Sequence, residues 1–253
     1  MDLYILHTTP ENFKYYINPK NVIDGNILLT GTYETHIKDI IDKYVKKDMV
    51  CLDVGANMGV HAVRMGMLSK KVICVEPMPI NDILKKNLEI NNINYILHKC
   101  FVGNAITYDN YVKFQNQFPK DTVESNDNIK LDCFTIDYLV TEKIDFVKID
   151  VDGMELEVIQ GMTNVIEKYK PIIISELSVY KYDGINSQMD PIIMKQRWFT
   201  FISTILKFGY KIQYVAYTEM LQFIPNTPDD FTVFWEILTS NNYSSTDVLF
   251  TPL

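Results

Sequence analysis

The chain has 253 residues, 47% of them hydrophobic, and a formal net charge of −8. That length and apolar content support one α/β domain with its own core, and the acidity argues against nucleic acid or an anionic membrane as a partner. Four cysteines without a C-x-x-C pair argue against a zinc or redox motif and are expected as small buried hydrophobes in a reducing compartment.

The start, Met1-Asp2-Leu3-Tyr4, lacks the basic and apolar regions of a signal peptide, and no apolar run reaches the length of a membrane span. A cytoplasmic protein is expected. Residues 1–34 read as an extension or cap, with short strands at Leu3 to Leu6 and Ile27 to Leu29 and turn signals at Asn18-Pro19 and Asp24-Gly25. A helix follows, with Thr35 as its expected N-cap and Ile37, Ile40, Ile41, Tyr44 and Val45 at helical spacing. Glu34, just ahead of it, either faces a cofactor or complements the helix dipole.

Met49 to Leu52 reads as a buried strand that breaks at Asp53 into a turn with Gly55 and Gly59, and Val60 to Leu68 reads as a helix. Strand, glycine turn and helix are how an open α/β sheet builds a nucleotide site at the carboxyl ends of its strands. Gly55 permits the sharp turn, and the missing Cβ at Gly59 lets a ligand approach the backbone. Lys71 to Glu76 reads as the next strand, ending in an acid placed to accept bonds from ribose hydroxyls. Asn57 stands where the dinucleotide fingerprint needs its middle glycine, and Asp53 suits a cationic amino group better than a diphosphate. Both point to S-adenosylmethionine over NAD.

Pro77-Met78-Pro79 forces an extended exit. Asn81 or Asp82 caps a helix with Ile83, Leu84, Leu88 and Ile90, ended by Asn91-Asn92, and Tyr95 to Leu97 reads as a third strand. Residues 103–130 read as irregular, with a strand at Tyr111 to Phe114 and an exposed loop at Asp121 to Asn128. Leu131 to Leu139 reads as a connector. Ile144 to Asp150 is a fourth strand, followed by one helix carrying Met154, Val158, Ile159, Met162, Val165 and Ile166, with Gly161 tolerated inside it. Ile172 to Glu176 is a fifth strand. A loop over 178–190, with Tyr180 and Tyr182, either stacks on a sugar or covers the core. Pro191 to Phe208 reads as a helix, and Tyr210 to Ala216 and Phe231 to Leu238 as two strands pairing antiparallel near an edge. The alternation of strands and helices predicts a mostly parallel sheet.

Asp53, Glu76, Asp150 and Glu176 all end predicted strands. Lys148 shares a strand face with Asp150. The two form either a pair at the mouth of a pocket or an ion pair holding strand ends.

The stretches Asp53 to Gly59, Val75 to Pro79 with Asn81, Asp145 to Gly153 with Glu155, and Pro171 to Glu176 together resemble the FkbM family of S-adenosylmethionine-dependent methyltransferases. The resemblance runs from about Glu34 to Glu176. Asp152 departs from it, since glutamate is usual there. The resemblance implies a Rossmann-like class I methyltransferase fold, α/β with seven strands, the last antiparallel. It implies a cofactor-binding core over 35–177 and an acceptor-side segment over 178–253. By position, it implies that Asp53, Gly55, Asn57 and Gly59 line the methionine and ribose part of the cofactor and that Glu76, beside Pro77, takes the ribose hydroxyls. The activity implied is O-methylation of sugars or natural-product hydroxyls.

Such a transfer needs a general base. Asp150 is the first choice and Glu176 the second, with Lys148 as an orienting group. Asp150, Asp152 and Glu176 could also offer oxygens to Mg²⁺, the less favoured reading because no histidine cluster accompanies them. His61 and His98 read as structural. A small-molecule or glycan acceptor is expected, with a homo-oligomer left open. The alternatives are a non-catalytic methyltransferase-like binding module and, behind it, a methyltransferase acting on nucleic acid or protein.

Overall fold

A computed structural model gives the structure over residues 3–113, 128–178, 191–215, 232, 235–236 and 245–253. In chain order its elements are β1 (Ile5–Thr8), β2 (Lys14–Ile17), α1 (Val22–Thr30), α2 (Thr35–Tyr44), β3 (Val50–Val54), α3 (Val60–Leu68), β4 (Lys71–Val75), α4 (Asn81–Ile90), β5 (Tyr95–His98), β6 (Phe101–Val102), β7 (Thr107–Lys113), β8 (Asn128–Phe134), α5 (Ile136–Leu139), β9 (Phe146–Ile149), α6 (Glu155–Gln160), α7 (Thr163–Tyr169), β10 (Ile172–Ser178), α8 (Pro191–Leu206), β11 (Tyr210–Val215) and β12 (Ser245–Pro252). Among the described residues, seven strands make one sheet in the order β11-β12-β10-β9-β3-β4-β5. The pairs β3–β4, β4–β5 and β9–β10 are parallel, whereas β12 runs antiparallel to both β10 and β11. This is the expected α/β architecture with an antiparallel last strand. The predicted loop with Tyr180 and Tyr182, and that at Asp121 to Asn128 except Asn128 itself, lie outside the described residues.

The chain divides into two compact units, Met1–Phe101 with Lys113–Ile129, and Val102–Val112 with Lys130–Leu253. In the first unit, every residue of β3 is buried, and α2 turns Ile37, Ile40 and Ile41 inward. Each buried Val, Leu or Ile side chain among these contributes roughly 1.5–3 kcal/mol. Two local readings are corrected. Ile27 to Leu29 lie in α1, because the Asn21 side chain caps its start at the Ile23 amide and Gly31, at φ 80°, closes its end. Thr35 is the first residue of α2, and Glu34 occupies the cap position with φ 50° and no capping bond from its side chain.

In the second unit the single helix expected after Gly153 is two, α6 and α7, broken at Gly161. A Cβ at Gly161 would lie 2.0 Å from the Gly103 carbonyl oxygen, and the Gly161 carbonyl accepts from the Asp137 amide at 2.9 Å. The Asp137 carboxylate then accepts from the Asn164 and Val165 amides, satisfying the start of α7. Leu131 to Leu139, expected as a connector, instead forms the end of β8 and the short helix α5. In the stretch Phe231 to Leu238, expected as a strand, the described residues Thr232, Trp235 and Glu236 are helical. The strand is β12, whose Val248, Leu249 and Phe250 are fully buried.

Candidate active site

In the first unit the turn after β3 is built from backbone that few residue types tolerate. Gly55, Asn57 and Gly59 have φ of 81°, 50° and 95°, the left-handed region that glycine and asparagine enter most readily. The Gly55 and Ala56 amides both donate to the Val75 carbonyl, fastening the turn to the end of β4. At Gly59 the missing Cβ serves packing: a Cβ there would meet Leu84 Cδ1 at 2.5 Å. The turn thus approaches α4 closely at this position.

Glu76, buried immediately after β4, accepts from the Asn57 amide through Oε2 and from the Met78 amide through Oε1, both at 2.8 Å. Its carboxylate thus links the turn to the Pro77-Met78-Pro79 exit. Asn81 donates to the Glu76 carbonyl at 3.3 Å. Asp53 is 1% exposed on the neighbouring strand, opposite Cys74. Burial, then the Asp53 charge, push the Cys74 thiol up. Glu34 turns its carboxylate to His61 Nε2 at 2.9 Å, so this acid ties α2 to the first turn of α3. No feature of the sequence links these two residues, 27 positions apart.

The donor set suits S-adenosylmethionine. Two buried carboxylates at adjacent strand ends complement a cationic ligand. The Glu76 carboxylate is a hydrogen-bond acceptor, and ribose hydroxyls are donors.

The second unit holds the other predicted acids. Lys148, buried in β9, donates to Asp150 Oδ2 at 3.0 Å. Carboxylate oxygens of Asp150, Asp152 and Glu176 lie within 4.8 Å of one another, a set of hard oxygen ligands that could hold a divalent cation. Asp152, at φ 49°, and Gly153, at φ 96°, form the turn into α6. Glu155 is 2% exposed and accepts from the Gly153 amide at 2.8 Å and the Val151 amide at 3.4 Å. Arg197 of α8, unremarked in the sequence, grips the same turn: it donates to both carboxylate oxygens of Glu157 and, at 3.1 Å, to the Gly153 carbonyl. The one signal for it was rarity, since Arg64 is the only other arginine.

The methyltransferase FkbM domain matches residues 53–223. Methyltransferase FkbM from Methylobacillus flagellatus is 16% identical, with a TM-score of 0.49 over 89% of this chain and 52% of that one. SMU.1697c from Streptococcus mutans, solved in complex with SAH, is 15% identical, with a TM-score of 0.48 over 87% of this chain and 96% of that one. Trm5b from Pyrococcus abyssi is 10% identical, with a TM-score of 0.50 over 98% of this chain and 56% of that one, a likeness of fold. The tyramine–L-glutamate ligase of Methanocaldococcus fervens is 28% identical over 109 residues, which is 43% of this chain and 34% of the ligase. The chain thus spans about a third of that curated relative and about half of the Methylobacillus protein. With the family domain matched across more than half of its length, the chain belongs to the methyltransferase FkbM domain family.

Proposed function

We propose that the chain is an S-adenosylmethionine-dependent O-methyltransferase acting on a hydroxyl of a sugar, glycan or natural-product small molecule. The observation that carries this reading is the pair of buried acids, Asp53 and Glu76, at adjacent strand ends, with Glu76 bonded to the glycine turn. Asp53, Gly55, Asn57, Gly59, Glu76 and Pro77 make the cofactor's seat, with Glu34 fixing the start of α3 through His61. S-adenosylmethionine, when bound, supplies an electrophilic methyl group. The chain's own work is to position, to exclude water and to move a proton. Asp150 accepts the proton of the acceptor hydroxyl, held by Lys148, and Glu176 is the second candidate for that role.

The test is calorimetric titration with S-adenosylmethionine and its demethylated product, followed by a screen of sugar and natural-product hydroxyls. Wild type should bind in the micromolar range and Glu76→Ala should not. Asp150→Asn should retain cofactor affinity while turnover falls by about 10²–10⁴. Turnover should survive exhaustive chelation. An absence of binding by folded wild type, or wild-type turnover by Asp150→Asn, rejects the corresponding part.

A further inference from the structure

The outer edge of β2 is completed by side chains. One edge of the strand pairs with β1, in a register that sets Ile5 opposite Ile17 and Thr8 opposite Lys14. On the other edge stands helix α4. The Lys14 amide donates to Asn91 Oδ1 at 2.9 Å, and the Lys14 carbonyl accepts from Asn91 Nδ2 at 2.6 Å. The Tyr16 amide donates to Asn87 Oδ1 at 2.7 Å. Two strand residues advance about 6.8 Å and four helix residues about 6 Å. Asparagines one helical turn apart therefore keep step with alternate residues of the strand.

Asn87 does more than dock the hairpin. It is fully buried, and its Nδ2 donates to the Met58 carbonyl at 2.8 Å, inside the glycine turn. A primary amide donates and accepts at once, so one side chain grips both segments. The hairpin reaches the same region twice more. Buried Tyr15 donates its hydroxyl to the Val60 carbonyl at 3.4 Å, one residue past Gly59. Arg64 of α3 bonds Glu11 at 2.6 Å and stacks over Phe13, at the hairpin tip.

We propose that docking of the β1–β2 hairpin and occupancy of the glycine turn are thermodynamically coupled, with Asn87 as the positioning residue that joins them. The proposal rests on the reading that this turn seats S-adenosylmethionine. Coupling of this kind is reciprocal: whatever loosens the hairpin weakens the ligand, and the ligand tightens the hairpin.

Asn91→Ala removes both bonds to Lys14, along with the bond from Asn91 Nδ2 to the Asn87 carbonyl at 2.7 Å, and leaves the Asn87 side chain and its bonds to Tyr16 and Met58 in place. Lys14→Pro removes the same amide donor from the strand and leaves α4 intact, which guards against a folding failure of the first variant. Amide hydrogen exchange of Asn57 and Met58, measured without ligand, should quicken by about fivefold or more in both variants. Exchange at Phe201, in the second unit, should not change. Titration with the demethylated product should show weaker binding by a similar factor. That ligand should slow exchange at the Tyr16 amide in wild type and lose this effect in Asn91→Ala. Unchanged exchange at Asn57 and Met58 in folded variants overturns the proposal. Failure of wild type to bind overturns the cofactor reading instead, and the ligand-free exchange then decides the hairpin's role on its own.

Discussion

Glu155 places a carboxylate where the turn after β9 enters α6. Burial dominates its chemistry and pushes the carboxyl up to about 7; the amide bonds from Gly153 and Val151 oppose the rise, and the Asp150 charge adds to it. A carboxyl raised in the folded state stabilises the fold below its unfolded value and loses that contribution as pH climbs through the folded one. Stability should therefore fall between about pH 4.5 and pH 7, by roughly 3 kcal/mol from this group. Glu155→Gln keeps an acceptor for both amides and cannot ionise. Urea titrations across that range should show the slope flatten in the variant. A shallower slope should remain from Asp24, which burial pushes up to about 6. An unchanged slope in Glu155→Gln would show that the drop lies elsewhere.

At the level of elements, the break between α6 and α7 is a packing decision. The Gly103 carbonyl sits where a Cβ of residue 161 would be. Gly161→Ala should cost about 1–3 kcal/mol, the range for overpacking, read as a lower urea midpoint with an unchanged slope. A midpoint equal to wild type would mean that the two segments separate freely. The same place shows what a linear reading can reach. The apolar positions Val158, Ile159, Val165 and Ile166 were legible because periodicity is local, and all four are buried. The break was hidden because its causes, Gly103 and Asp137, are more than 20 residues away. Likewise α3 and β4 were read with their boundaries nearly intact, the glycine turn and Glu76 included. The stretch Phe231 to Leu238 reads as a strand, and in a window this short apolar content does not separate helix from strand. At Gly59 the packing against Leu84 is hidden from a linear reading, since Leu84 lies 25 positions on.

Across the molecule, the net charge of −8 works against a polyanion. Affinity for RNA grows with the number of phosphates neutralised by Lys and Arg, and this chain has 24 such residues against 32 acids. We expect no retardation of transfer or ribosomal RNA fragments at about 0.15 M salt, where non-specific binding falls to about 10⁻⁴–10⁻⁶ M even for dedicated binders. A saturable shift at low micromolar protein would point to an RNA acceptor in place of a small hydroxylated one.

The position of β12 has a consequence for how the chain matures. Its Phe250 sits opposite Ile173 of β10 on one side and opposite Ile212 of β11 on the other. Both neighbours are translated well before it, and neither pairs with the other across the gap it fills. Until residues 245–252 have been synthesised, β10 and β11 each present an open edge able to template pairing with another chain. The sheet closes from its interior, by insertion of a late strand, and this long-range step is the slow kind.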